Sequence, residues 1–127
     1  MGIEILPKWN EPAIRVLMMP RDTNARGTIF GGVILSYIDQ AGAIEARRQG
    51  SRLMVTVSMD KIVFHEPVFV GDLVSFWCET VRIGTTSIAV KVTVEAFQEG
   101  ERKVLVTEAQ VVYVNVGEDR RPTPIVR

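Results

Sequence analysis

Residues 24–42 read NARGTIFGGVILSYIDQAG, and the fold turns on how this stretch is read. It passes from a turn-forming loop through Gly31-Gly32 into an amphipathic segment. That segment carries Asp39 among Leu35, Gly42, Ala43 and Ala46. Glycine and aspartate are poor helix formers, so something other than local stability favours them. At about 100° per residue, Asp39 shares a stripe with Gly32, Leu35, Ser36, Gly42, Ala43 and Ala46. No position three or four residues away offers it a cation. A second stripe, Ile34, Ile38, Ala41 and Glu45, forms the opposing face. The periodicity predicts a helix over residues 29–49, closed by Gly50.

Before this helix, residues 13–19 (AIRVLMM) read as a short apolar strand, followed by the turn-rich PRDTNARG. After Gly50 everything reads as extended. Over residues 53–60, apolar Leu53, Val55, Val57 and Met59 alternate with Met54, Thr56, Ser58 and Asp60. Beyond Asp60 the parity slips, which points to a bulge or bend there. HEPVFVGD is a connector; residues 73–82 form a strand, IGTT a tight turn, and residues 86–97 the cleanest strand. There Ile88, Val90, Val92, Val94 and Ala96 face one way. QEGER is a hairpin turn, residues 104–116 the last strand, and residues 117–127 a flexible tail. One strand, one helix and four more strands describe an α+β domain, a five-stranded antiparallel sheet curled around a central helix. Such a sheet leaves edges exposed, and two subunits can pair along them.

The 127 residues fit a single domain spanning 1–127. Fifteen basic and fifteen acidic residues cancel to a net charge of zero, so neither nucleic acid nor an anionic membrane is indicated as a partner. One cysteine, Cys78, excludes an internal disulfide and reads as a small core residue. The opening MGIEILPKWN lacks the charged and apolar regions of a secretory signal, and Leu6 stands where a myristoylation motif needs Ser or Thr. With no apolar run of membrane-spanning length, the chain reads as cytoplasmic.

Chemistry concentrates on the helix. Gly31 and Gly32 at its start would leave backbone N–H groups unobstructed, at the positive end of the helix dipole. A carbonyl oxygen docked there would be polarised as in an oxyanion hole. Two turns on, Asp39 projects into a slot of small groups and could handle an attacking water. Along the axis the two features lie roughly 12 Å apart. One substrate atom cannot touch both in one subunit, so the Asp39 of one subunit is matched with the glycine end of another.

The segment MMPRDTNARGTIFGGVILSYIDQAGAIEARR, with VTVSMDKIVFHEPVFVGD and RIGTTSI in the same order, resembles the acyl-CoA thioester hydrolase branch of the hotdog-fold superfamily. The likeness runs from about Arg15 to Tyr113. It implies a hotdog fold, cleavage of fatty acyl-CoA to free acid and coenzyme A, and active sites between subunits. It also implies dimers that assemble into tetramers or hexamers. By resemblance Asp39 is the catalytic carboxylate, as general base or as nucleophile, and Gly31, with Gly32 beside it, supplies the oxyanion amide. Asn24 and Thr28 complete the implied catalytic set; relatives often carry Asp or Asn where Thr28 stands, and Lys where Glu66 stands. Coenzyme A would lie against Val55, Thr56 and Val57 and the turn Arg82, Gly84, Thr85, Thr86 and Ser87. Because coenzyme A is part of the substrate, no separate cofactor and no metal are implied.

A thioester expels a thiol of pKa about 8.5, so a dedicated general acid can be absent. The only histidine, His65, reads as a surface or packing residue. Arg47, Arg48, Lys91, Arg120 and Arg121 are further cations able to meet a phosphate, and Tyr37, Phe64 and Trp77 could wall an acyl pocket. Two other readings compete: a non-catalytic acyl-CoA sensor, and a hotdog enoyl-CoA hydratase or dehydratase, which would need a His beside the acid.

Overall fold

In the computed structural model, the helix expected from the sequence is α1, Gly31–Arg48. The structure describes residues 3–127; Met1 and Gly2, where the rejected acylation motif begins, lie outside the described residues. Five strands accompany the helix: β1 (Ile14–Leu17), β2 (Met54–Phe64), β3 (Leu73–Ile83), β4 (Ser87–Gln98) and β5 (Arg102–Asn115). They form one antiparallel sheet in the order β1-β3-β4-β5-β2. The helix lies across β3, β4 and β5. This is the expected hotdog arrangement, with β1 and β2 as the two edges.

The core forms where the two periodicities meet. Ile34, Ile38, Ala41 and Glu45 of α1 are buried, against Val74, Phe76 and Cys78 of β3 and the predicted inner row of β4. The inner row of β5 is Val104, Val106, Ala109, Val111 and Tyr113. Its spacing slips once, between Val106 and Ala109, because the β4–β5 register shifts between Val94 and Glu95. Among the described residues no helix is long and apolar enough to cross a membrane.

Two features depart from the sequence expectation. The parity slip near Asp60 is present, with Lys61 at φ 57°, but β2 has a second register shift, between Thr56 and Ser58. Val57 is the extra residue, and it lets Met54, Thr56 and Met59 face inward while Val55 and Val57 face out.

The expected flexible tail is docked instead. The Asn115 side chain donates to the carbonyls of Thr123 and Pro124, and the Ile125 N–H donates to Thr85 at 2.9 Å. Ile125 itself is buried in the core. Burying one large aliphatic side chain is worth about 2 kcal/mol, and the hydrogen bonds of Asn115 and Thr85 add to that hold.

Candidate functional site

The connector between β2 and β3 builds the start of α1. Thr28 pairs with Phe69 in an isolated bridge, Ile29 donates its N–H to Val68 at 2.8 Å, and Phe30 donates to Asp22 at 3.0 Å. Phe30 is the N-cap residue and supplies no side-chain cap, and the first turn carries no acid. The leading amides are therefore left without a side-chain acceptor, at the positive end of the dipole. A Cβ on Gly31 would touch the Phe64 ring at 3.5 Å, whereas one on Gly32 would meet nothing within 4 Å. Packing within the chain thus gives no reason for glycine at 32.

Gly31 opens onto a cleft of about 340 Å³ that Thr28, Phe64, His65 and Glu66 also line. His65, far from the helix in sequence, is an exposed residue at its tip. Thr28 lines this cleft and Asn24 lies beside it. The Asn24 amide donates to the Thr28 hydroxyl at 2.9 Å, and its oxygen accepts from the N–H groups of Arg26 and Thr28. Both ends of the Asn24 side chain thus brace this loop.

Asp39 lies half-buried on α1. The Thr56 hydroxyl donates to its Oδ1 at 2.7 Å. Behind it, the Tyr113 hydroxyl donates to the Asp39 main-chain carbonyl at 2.6 Å. Burial, and then the negative charge of Asp39, push the Tyr113 phenol well above its ordinary range. Gly42 makes this possible: a Cβ there would overlap the Tyr113 hydroxyl and come 3.0 Å from its ring. Tyr113 was not anticipated as a site residue. The signal was present as a glycine on the Asp39 stripe, where a close approach removes the side chain.

The residues expected to meet coenzyme A gather at one end of the sheet. Val55 pairs with Val114, which pairs with Ser87; Thr56 pairs with Tyr113, which pairs with Ile88. The 55–57 edge and the 82–87 turn are thus about two strand spacings apart, roughly 10 Å. Val55 and Val57 are exposed. Within the turn, the Gly84 N–H donates to the Ser87 carbonyl at 2.8 Å, and the Thr85 and Thr86 carbonyls accept from the N–H groups of Ile125 and Asn115, so the Gly84 amide is not available to a phosphate. A Cβ at 84 would be a tight fit, 3.0 Å from Ser87 Oγ and 3.2 Å from the Arg82 guanidinium, so those side chains would have to give way slightly.

Of the large side chains considered for an acyl pocket, Tyr37 packs on Phe76 with ring centroids 5.6 Å apart, and Phe64 sits at Gly31. Trp77 points to the other face, where it lines a small cleft with Arg15, Glu95 and Lys103. Its neighbours Phe76 and Cys78 occupy the inner face, and strand alternation sends it outward. Beneath the helix, Glu45 is buried but satisfied by Arg48, Gln49 and Thr80. Among the described residues, no group of three or more His, Cys, Asp or Glu side chains could hold a metal ion.

Comparison with known proteins bears on this geometry. The thioesterase superfamily profile matches residues 26–105. The chain is 47% identical to a hexameric hotdog-fold thioesterase of Campylobacter jejuni, covering 92% of this chain and 91% of that one, with a TM-score of 0.86. It is 40% identical to the acyl-CoA thioester hydrolase YciA of Salmonella typhimurium over 91% of this chain and 90% of that protein. An uncharacterised acyl-CoA thioester hydrolase of Zymomonas mobilis is 39% identical over 96% and 83% of the two chains.

Proposed function

The chain belongs to the thioesterase superfamily, and on that premise we propose that it hydrolyses acyl-CoA thioesters, with Asp39 as its catalytic carboxylate. The observation that carries this reading is the Asp39–Thr56 contact of 2.7 Å. One carboxylate oxygen is held by a hydroxyl while the other is left to meet water or the thioester carbon. A hydrogen bond to a charged acceptor fixes orientation more firmly than one between neutral groups. Asp39 either takes a proton from the attacking water or attacks the carbonyl itself to form an anhydride. The carbonyl oxygen would rest on the amides at Gly31 and Gly32. Thiolate leaves without an acid catalyst, because its conjugate acid is far stronger than water.

The active site is completed by a second copy. Exposed Val55, Val57, Val63 and Phe64 run along β2, a free sheet edge, and an apolar edge of this kind favours pairing. A two-fold axis near the middle of β2 would make an antiparallel pair. The Phe64 end of one strand, with Gly31, then lies beside the Thr56 end of the other and the partner subunit's Asp39. This removes the roughly 12 Å axial mismatch within one helix. Hexameric assembly in the Campylobacter jejuni relative supports further association of such dimers.

The test is release of free thiol from short, medium and long acyl-CoAs. Turnover by the wild type and its loss in Asp39→Asn, with coenzyme A binding retained, is the expected result. Binding without thiol release by the wild type would favour a sensor instead, and an unchanged rate in Asp39→Asn would remove Asp39 from the chemistry.

A further inference from the structure

Four arginines converge at the C-terminal end of α1, away from the Gly31 tip. Arg47 and Arg48 come from its last turn, Arg52 from the loop into β2, and Arg127 from the docked tail. With Gly50 and Val126 they line an open cleft of about 450 Å³, and no acidic side chain is among its lining residues. Arg48 is committed to Glu45 at 2.9 Å, to the Pro7 carbonyl and to the face of Trp9. Arg47 and Arg52 are exposed and make no ion pair or side-chain hydrogen bond among the described residues. Arg127 donates to the Glu4 main-chain carbonyl.

Cations in a last turn are favoured by the negative end of the helix dipole. That explains Arg47 and Arg48 but not Arg52 and Arg127, which arrive from other segments. Their arrival is built into the fold. Ile125 anchors the tail in the core, and Gly50, at φ +120°, leaves room that a Cβ would take within 3.0 Å of the Arg127 stem. In a chain of zero net charge, such a concentration of one sign in a cleft focuses its field on an anion. Guanidinium forks match phosphate oxygens in pairs.

We propose that this cleft binds a phosphate-bearing anion, held by Arg47, Arg52 and Arg127. The phosphates have two sources: the nucleotide end of an acyl-CoA, which rests on the substrate class proposed above, or a free phosphorylated metabolite, which does not. Ile125, next in the chain to Val126 of the cleft, donates its N–H to Thr85 of the 82–87 turn, which ties the cleft to the turn proposed to meet coenzyme A.

Calorimetric titration of the full chain with inorganic pyrophosphate tests the site. The wild type gives saturable heat that weakens with added salt. In Arg47→Gln/Arg52→Gln, affinity falls at least about tenfold while the thermal midpoint stays put; Arg52→Gln alone gives a smaller loss. Kinetics assign the source. If the cleft holds substrate phosphates, pyrophosphate competes with acyl-CoA, and the double variant raises KM for acyl-CoA but not for the phosphate-free acyl-pantetheine. If it holds a free metabolite, pyrophosphate binds without competing and KM stays unchanged. No saturable heat in the wild type, or undiminished heat in the folded double variant, overturns the proposal. Failure of the thioesterase reading is separate, because acyl-pantetheine would then also go uncleaved.

Discussion

Tyr113 reaches the main-chain carbonyl of Asp39 across the space left by the missing side chain of Gly42. The hydroxyl is buried at 0% exposure, so this contact ties the last strand to the middle of the helix at the residue argued to do the chemistry. Gly42→Ala forces the ring to shift. Overpacking costs about 1–3 kcal/mol and the lost hydrogen bond about 1, against about 1 regained from helix propensity. A net loss of about 2 kcal/mol is expected in denaturant melts. In a Tyr113→Phe background the same substitution costs less, because the hydroxyl overlap is gone. A double-mutant cycle reads that difference.

Thr56 acts on Asp39 through a single hydroxyl. Thr56→Val keeps the shape of the side chain and removes the donor. Losing a hydrogen bond to a charged group corresponds to roughly a ten- to hundredfold drop in kcat. Thr56→Ser retains the hydroxyl and should retain most of the rate. Equal thiol release by the Val and wild-type proteins would show that the contact does not serve turnover.

Much of the fold was legible because two simple periods carried it. The inner row of β4 from Ile88 to Ala96 and the helix stripe Ile34, Ile38, Ala41 and Glu45 are buried as their spacing implied. The placement of β2 was not legible. It pairs with β5, the most distant strand in sequence, and alternation along a strand says nothing of its neighbour. Val57 hid its bulge because it is as apolar as the residues around it. Ile125 was overlooked because an Ile-Val pair among prolines, arginines and glycine has no period to reveal which of the two is buried. Asp39 and the glycines stood out because they are unfavourable where they sit. Tyr113 and His65 came to neighbour the site, and Thr56, named for coenzyme A by resemblance, came to hold Asp39, only through strand register and the connector, which no local pattern encodes.

Cys78 gives the protein an alkaline limit. Burial, followed by the Glu45 charge, pushes its thiol up to about 12 from an ordinary value near 9. A neutral acid with a raised folded pKa stays protonated in the native state while the unfolded chain ionises. Stability is therefore fully present below about pH 9 and falls as pH rises from there toward 12, by up to about 1.4 kcal/mol per unit. Tyr113 adds to this fall in the same direction. Thermal midpoints measured at pH 8 and pH 10.5 should drop less in Cys78→Ala than in the wild type. The thiol should also resist a thiol-specific reagent at pH 8 until the protein unfolds.

Docking of residues 117–127 rests on Ile125 and on the side chain of Asn115. Ile125→Ala removes most of the buried area of the tail and should cost about 2–3 kcal/mol if the tail stays in place. If it detaches, the Ile125 amide, bonded to Thr85 in the native chain, exchanges with solvent at the rate of an open segment. Hydrogen exchange separates the two outcomes, and slow exchange with an unchanged midpoint would contradict the packing argument.

Gly32 separates stability from function. A methyl group there meets nothing within 4 Å in the chain, and it restricts the unfolded state. Gly32→Ala should therefore leave stability unchanged or raise it by about 0.5–1 kcal/mol. The same methyl stands beside the amides proposed to hold the thioester carbonyl, near the face that a second subunit would cover. Losing one oxyanion donor costs about a hundred- to a thousandfold, and a methyl that shifts the carbonyl off its donors should approach the lower figure. Thermal melts and thiol-release rates on one preparation read both effects. A variant as active as the wild type would mean that the helix tip does not hold the reacting carbonyl, whatever its stability.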